Sequence, residues 1–133
     1  MKTRWTASAA AVLLALAPTA WACGVCVEDK VAATYDHAVV QRAAAAGKAM
    51  VYCEIHGSLD ARRWQSAARR VRGLDPASVR VSSEPAAISF ALDTSRQSPQ
   101  AAAAALQQAL PGSRVAIVRL ITSKELSANA AGH

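Results

Sequence analysis

Residues 49–57 have the sequence Ala49-Met50-Val51-Tyr52-Cys53-Glu54-Ile55-His56-Gly57, and this stretch decides the fold. Its composition predicts a β-strand that ends in a glycine turn. Successive residues of a strand point to opposite faces of the sheet. One face is therefore predicted to carry Val51, Cys53 and Ile55, and the other Met50, Tyr52, Glu54 and His56.

Five more elements are predicted after this strand. They are a helix that Ser58 caps and that runs to about Arg72, a strand around Val79 and Val81, a strand at Ile88, Phe90 and Leu92, a helix from Pro99 to Leu110 with Ser98 as its N-cap, and a strand from Arg114 to Ile121. The order strand, helix, strand, strand, helix, strand, with right-handed crossovers, predicts an antiparallel sheet with both helices on one face. We therefore expect an α+β protein with a ferredoxin-like βαββαβ sandwich over residues 49–121. The side chains expected in its core are Trp64, Val71, Ile88, Phe90, Ile117 and Val118.

The first 22 residues have the pattern of a signal peptide. Two basic residues near the start precede an apolar run over residues 7–17 that is too short to span a membrane. Ala20-Trp21-Ala22 then provides the small-x-small site that signal peptidase cuts. The mature protein is predicted to begin at Cys23, to be periplasmic or secreted, and to have no transmembrane segment. The bulky Trp21, two positions before Cys23, argues against a lipid anchor on that cysteine.

Two further segments flank the predicted domain. Residues 23–48 are predicted to be an N-terminal extension that carries Cys23 and Cys26 and forms a helix over 27–46, ended by Gly47. Residues 122–133 are small and polar, and we expect a flexible tail there.

The charge of the chain restricts its partners. Fifteen Lys and Arg residues against nine Asp and Glu give a formal charge of +6, which falls to +4 when Lys2 and Arg4 leave with the signal peptide. Such a charge favours acidic partners or anionic surfaces, and nucleic acid is not expected for an exported protein. Five arginines give the first core helix a basic outer face that could dock an acidic metal acceptor or donor, although a solvated surface is the commoner explanation. They are Arg62, Arg63, Arg69, Arg70 and Arg72.

Several stretches resemble the heavy-metal-associated domain family, the ferredoxin-like modules of copper chaperones and metal-pumping ATPases. They are Gly57, the turn Gly73-Leu74-Asp75-Pro76-Ala77-Ser78-Val79-Arg80-Val81, the strand from Ala87 to Leu92 with Asp93 after it, and the helix from Ser98-Pro99 to Leu110. The resemblance implies the ferredoxin-like fold and a metal-binding loop after Gly57. The cysteines of that loop are absent, since Ser58-Leu59-Asp60-Ala61-Arg62-Arg63 stands in their place.

The chain nevertheless contains thiols in spacings that suit a soft metal ion. Cys23 and Cys26 form a C-x-x-C motif, and Cys53 and His56 form C-x-x-H. Thiolate sulfur is a soft ligand for Cu(I) and Zn(II), and three cysteines with one histidine are a tetrahedral zinc combination. We therefore expect an exported copper or zinc binding or transfer protein with Cys23, Cys26, Cys53 and His56 as ligands and no catalytic activity. The plainer alternatives are that Cys53 is a core residue and that Cys23 and Cys26 are idle or disulfide-bonded.

Two other functions remain open at this point. Cys23 and Cys26 precede a helix start, where thiolates are stabilised, so a thiol–disulfide oxidoreductase is the second choice. The segment Trp21-Ala22-Cys23-Gly24-Val25-Cys26 resembles the thioredoxin motif, but no strand precedes it and Trp21 would be removed with the signal peptide. The third hypothesis is a non-catalytic protein-interaction module that uses the basic outer face of the first core helix.

Overall fold

The computed structural model describes residues 26–57 and 59–131. The predicted signal peptide over residues 1–22, and Cys23, lie outside this range. In chain order the described α-helices and strands are α1 (Val27–Thr34), α2 (His37–Ala45), β1 (Ala49–Gly57), α3 (Ala61–Ala68), β2 (Arg80–Ser83), β3 (Ala86–Leu92), α4 (Pro99–Ala109), β4 (Ser113–Ile121) and α5 (Ser123–Ala131). A short 3-10 helix, Pro76–Ser78, precedes β2. Within the described ranges no helix has the length and apolar character needed to cross a membrane.

The four strands form one antiparallel sheet in the order β2-β3-β1-β4. In the central pair Val51 lies opposite Phe90, and on the other side of β1 Tyr52 lies opposite Arg119. The pairing of β1 with β4 shifts between Tyr52 and Cys53, so β4 contains one extra residue at this point. The predicted α+β class and the antiparallel sheet are confirmed.

One face of the sheet is covered by α3 and α4. Its core includes Val51, Cys53 and Ile55 of β1 together with Trp64 of α3 and Leu106 of α4, as the alternation in β1 predicts. Among the expected core residues, the buried ones are Trp64, Val71, Ile88 and Phe90, whereas Ile117 and Val118 are only half-buried. The difference arises because β4 lies at the edge of the sheet, where neighbouring elements cover a strand less completely.

The opposite face of the sheet is covered by α1, α2 and α5. Met50 and Tyr52 of β1 pack there in one apolar cluster with Val39 of α2 and Leu126 of α5. The apolar cluster also takes in the half-buried Val31 of α1. The sheet therefore lies between two helical layers, and side chains of β1 alternate between them.

The single helix predicted over residues 27–46 is wrong, because the structure divides it into α1 and α2. Tyr35 and Asp36 adopt extended backbone conformations between the two helices. The Asp36 carboxylate accepts hydrogen bonds from the backbone N–H groups of Ala38 and Val39, which makes it the N-cap of α2. Its other oxygen pairs with Arg80 of β2, and this fixes the break in the helix against the sheet.

Two other helix boundaries differ from expectation. The first core helix is α3, which ends at Ala68 rather than near Arg72, and its N-cap is Asp60, which accepts hydrogen bonds from the N–H groups of Arg62 and Arg63. The expected tail instead forms α5. Thr122 and Glu125 exchange hydrogen bonds as a capping box at its start. Leu126 then buries its side chain against the second helical layer, which holds α5 in place.

Candidate functional site

Cys53 is a core residue of the α3–α4 layer. Its side chain is 1% exposed and belongs to the cluster that contains Trp64 and Phe90. This burial raises the pKa of the Cys53 thiol to about 12, because a thiolate would lose its hydration in the apolar core. The thiol is therefore protonated at neutral pH, whereas metal binding and nucleophilic attack both require the thiolate.

We expect Cys53 to be protected from thiol reagents in the folded protein. In a Cys23→Ser/Cys26→Ser double variant it is the remaining cysteine, so its reaction with an aromatic disulfide reagent can be followed alone. The rate in the native protein should be lower by about a hundredfold or more than in denaturant, because reaction requires opening of the core. Equal rates in the two conditions would contradict the burial of Cys53.

Cys26 has a different environment at the first position before α1. It is exposed, and its carbonyl oxygen accepts hydrogen bonds from the N–H groups of Asp29 and Lys30, at 3.1 and 3.3 Å. The unpaired N–H groups at a helix start favour negative charge nearby. The position of Cys26 therefore suits a thiolate better than that of Cys53 does.

His56 lies at the end of β1, in a polar cluster with Glu54 and Lys30. The His56 Nε2 atom is 3.1 Å from a Glu54 carboxylate oxygen, and the other oxygen of Glu54 pairs with the Lys30 ammonium of α1. The hydrogen bond from Lys30, and after it the one from His56, lowers the pKa of Glu54. The carboxylate is therefore ionised at neutral pH, and it orients an imidazole whose side chain is 61% exposed.

The contacts of Glu54 with Lys30 and His56 should make the stability of the protein depend on pH. The folded-state pKa of Glu54 lies below its ordinary value of 4.5, so the ionised form stabilises the fold above that pH and its contribution is lost as the pH falls through the lowered pKa. Glu54→Gln should therefore be less stable than wild type at pH 7, and the gap should narrow in acid. Urea denaturation of both proteins across this pH range measures the difference, and a constant gap would contradict the assignment.

The structure places the predicted ligands on two sides of the sheet. Cys26 precedes the helix that covers the Met50–Tyr52 face, and the side chains of Glu54 and His56 belong to the same face, whereas Cys53 belongs to the other. Within the described part of the chain, no three His, Cys, Asp or Glu side chains form a group that could hold a metal ion. Because Cys23 lies outside that part, the ligand set of Cys23, Cys26, Cys53 and His56 stays a prediction.

Sequence reasoning identified His56 but missed the residues that hold it. The alternation along β1 places Glu54 and His56 on one face, and this could have indicated their contact. Lys30 gives no such indication, because its contact with Glu54 depends on how α1 crosses the sheet.

Comparisons of the chain with protein-family models, with curated proteins and with solved structures gave no match. The resemblance to the heavy-metal-associated domain family therefore carries no family assignment. The geometry establishes an α+β fold in which a four-stranded antiparallel sheet packs with five helices among the described residues.

Proposed function

We propose that the protein is exported and binds or hands over a soft metal ion, Cu(I) or Zn(II), without catalysing a reaction. The thiolates of Cys23 and Cys26 would be the main ligands, and the imidazole of His56 an additional one. The observation that carries the proposal is the exposed position of Cys26 before α1, the helix whose Lys30 pairs with Glu54 beside His56. A metal-exchange partner with an acidic surface would suit the exposed arginines of α3.

We also propose that residues 49–121 form a ferredoxin-like domain, as the resemblance to the heavy-metal-associated domains implies. The element order from β1 to β4 and the strand order β2-β3-β1-β4 support this proposal. The packing of α3 and α4 on a single face of the sheet supports it as well.

The chemistry of the residues fits a soft ion. Two thiolates separated by two residues can bind one Cu(I) or Zn(II). A histidine that binds a metal commonly directs its other ring nitrogen to a carboxylate. The contact of His56 Nε2 with Glu54 has this form and leaves Nδ1 as the nitrogen for the metal.

Cys53 is left out of the proposed ligand set because of its surroundings. Its thiol is buried in the α3–α4 core, and its pKa is raised by that burial. To bind the same ion as Cys26, it would have to leave the core and cross to the other face of the sheet.

The role of His56 can be tested by competition with a chromogenic Cu(I) chelator under reducing conditions. His56→Ala should weaken the affinity of the mature protein by about 10–100-fold, and Glu54→Gln should weaken it less, since the carboxylate only orients the ring. His37→Ala is the matched control, because His37 is an exposed histidine of α2. An affinity for His56→Ala equal to that of the control would remove His56 from the site.

One observation also favours the redox alternative. Exposure of Cys26 at a helix start suits a thiol that exchanges with disulfides. A Cys23–Cys26 disulfide that persists in the exported protein and exchanges quickly with small thiols would put this function ahead of metal binding. A reduced pair that is protected by a bound metal would favour our proposal.

A further inference from the structure

The outer edge of β4 is open along the described part of the chain. β4 is nine residues long and pairs with β1 alone among the described strands. The backbone N–H of Val115 donates a hydrogen bond to the side-chain carbonyl of Gln107 on α4, at 3.1 Å. Alternate residues of a strand direct their N–H groups to the same side, so the N–H of Ile117 is also expected to point to the open edge.

A groove with apolar side chains on its strand side runs beside this edge, between β4 and α4. It is lined on the strand by Val115, Ile117 and Leu120, and on the helix by Ala103 and Gln107, among others. The extra residue of β4 near Val118 brings Leu120 onto the same face as Ile117. Leu120 is 37% exposed, which is unusual among the large apolar side chains of the described residues.

The other face of the same edge carries two arginines. Arg114 lies opposite His56 and Arg119 opposite Tyr52, and both arginines are exposed. Arg119 contacts Glu28 of α1 at 3.3 Å. Glu54 of β1 faces the same side, opposite Ala116, and its carboxylate contacts Lys30 and His56. β4 itself contains no Asp or Glu.

We propose that the edge of β4 binds an extended segment of a partner protein, which adds to the sheet as a fifth strand. Alternate side chains of an added strand point to its two faces. Apolar residues of the segment would enter the groove beside α4, and acidic residues between them would lie against Arg114 and Arg119. The added backbone would replace Gln107 as the acceptor for Val115, in the manner of peptide recognition by strand addition.

The charges of β4 favour a separate partner segment over two other candidates, a second copy of the chain and residues 1–25 of the chain itself. A second copy of the chain paired through β4 would bring four arginines onto one two-stranded ribbon, and like charges on neighbouring strands are destabilising. Residues 1–25 of the chain itself contain no acidic residue and could not complement Arg114 and Arg119. A separate acidic and apolar strand complements both faces of the edge.

The test uses the mature protein and a fluorescent eight-residue peptide of alternating Glu and Val, with binding followed by fluorescence anisotropy. Two further peptides carry N-methyl groups on all Val or on all Glu residues. We expect the unmodified peptide to bind and one of the methylated peptides to lose about tenfold or more in affinity, because an added strand uses the N–H groups of one edge. No binding of the unmodified peptide, or equal binding of all three, would overturn the proposal.

Protein variants locate the binding site. Arg114→Glu should weaken binding of the unmodified peptide by about fivefold or more, whereas Arg69→Glu, the same charge change at the exposed C-cap of α3, should leave it nearly unchanged. Binding should also slow hydrogen exchange at the amides of Val115 and Ile117. If Arg114→Glu and Arg69→Glu weaken peptide binding equally, the peptide is attracted by net charge alone. If the protein forms a dimer that Leu120→Lys disrupts, the edge of β4 is occupied by a second copy of the chain. Either result would overturn the proposal.

Discussion

Replacing Phe90 by alanine is expected to lower the free energy of unfolding by about 3–5 kcal/mol. Phe90 lies in β3, opposite Val51, and its side chain is 0% exposed. It belongs to the cluster that joins the sheet to Trp64 of α3 and Leu106 of α4. Removal of the ring loses its burial and leaves a cavity that rigid neighbours fill only in part.

Chemical denaturation followed by circular dichroism measures this loss. Tyr35→Ala provides a matched control, because it also removes an aromatic ring but from an exposed position between α1 and α2. The control should change the stability by less than about 1 kcal/mol. A loss of that small size for Phe90→Ala would mean that β3 does not lie in the core.

The second large effect concerns metal binding. A Cys23→Ser/Cys26→Ser double variant should lose stoichiometric binding of Cu(I) or Zn(II), because serine hydroxyls do not replace soft thiolate ligands. The fold should remain, since Cys26 is exposed before α1. Titration of the reduced proteins under anaerobic conditions measures the stoichiometry, and circular dichroism checks the fold.

Cys53→Ala is the comparison that locates the thiol ligands. It removes the buried thiol, and we expect it to keep the stoichiometry and affinity of wild type. If Cys53→Ala abolishes binding while its fold persists, Cys53 is a ligand and the α3–α4 core must open to admit the metal. If the double serine variant binds as wild type does, the C-x-x-C motif is not the site.

The elements that the sequence predicts well are those with a clear pattern of apolar residues and a recognisable boundary residue. β1 and β3 are nearly continuous runs of buried residues, and α4 begins with Ser98 as N-cap and Pro99 at its first position. In these segments the local preference of the chain and its tertiary packing agree.

The elements that sequence analysis missed depend on single polar residues. Asp36 can cap a helix or lie within one, and its pairing with Arg80 decides between them. The Thr122–Glu125 capping box is visible in the sequence, but α5 also requires the burial of Leu126 against the second helical layer. Such long-range contacts have no local pattern.

The candidate site was predictable to a similar extent. The alternation along β1 separates Cys53 from His56, and the structure gives the two side chains opposite environments. The pairing of Lys30 with Glu54 could not be predicted, because the path of α1 over the sheet depends on tertiary packing.

The most direct test of the proposed function is elemental analysis of the reduced mature protein, purified under anaerobic conditions. The proposal predicts about one equivalent of copper or zinc per chain in wild type and none in the double serine variant purified in parallel. Wild-type protein without bound metal, which also fails to take up Cu(I) or Zn(II) when these are supplied, would contradict it.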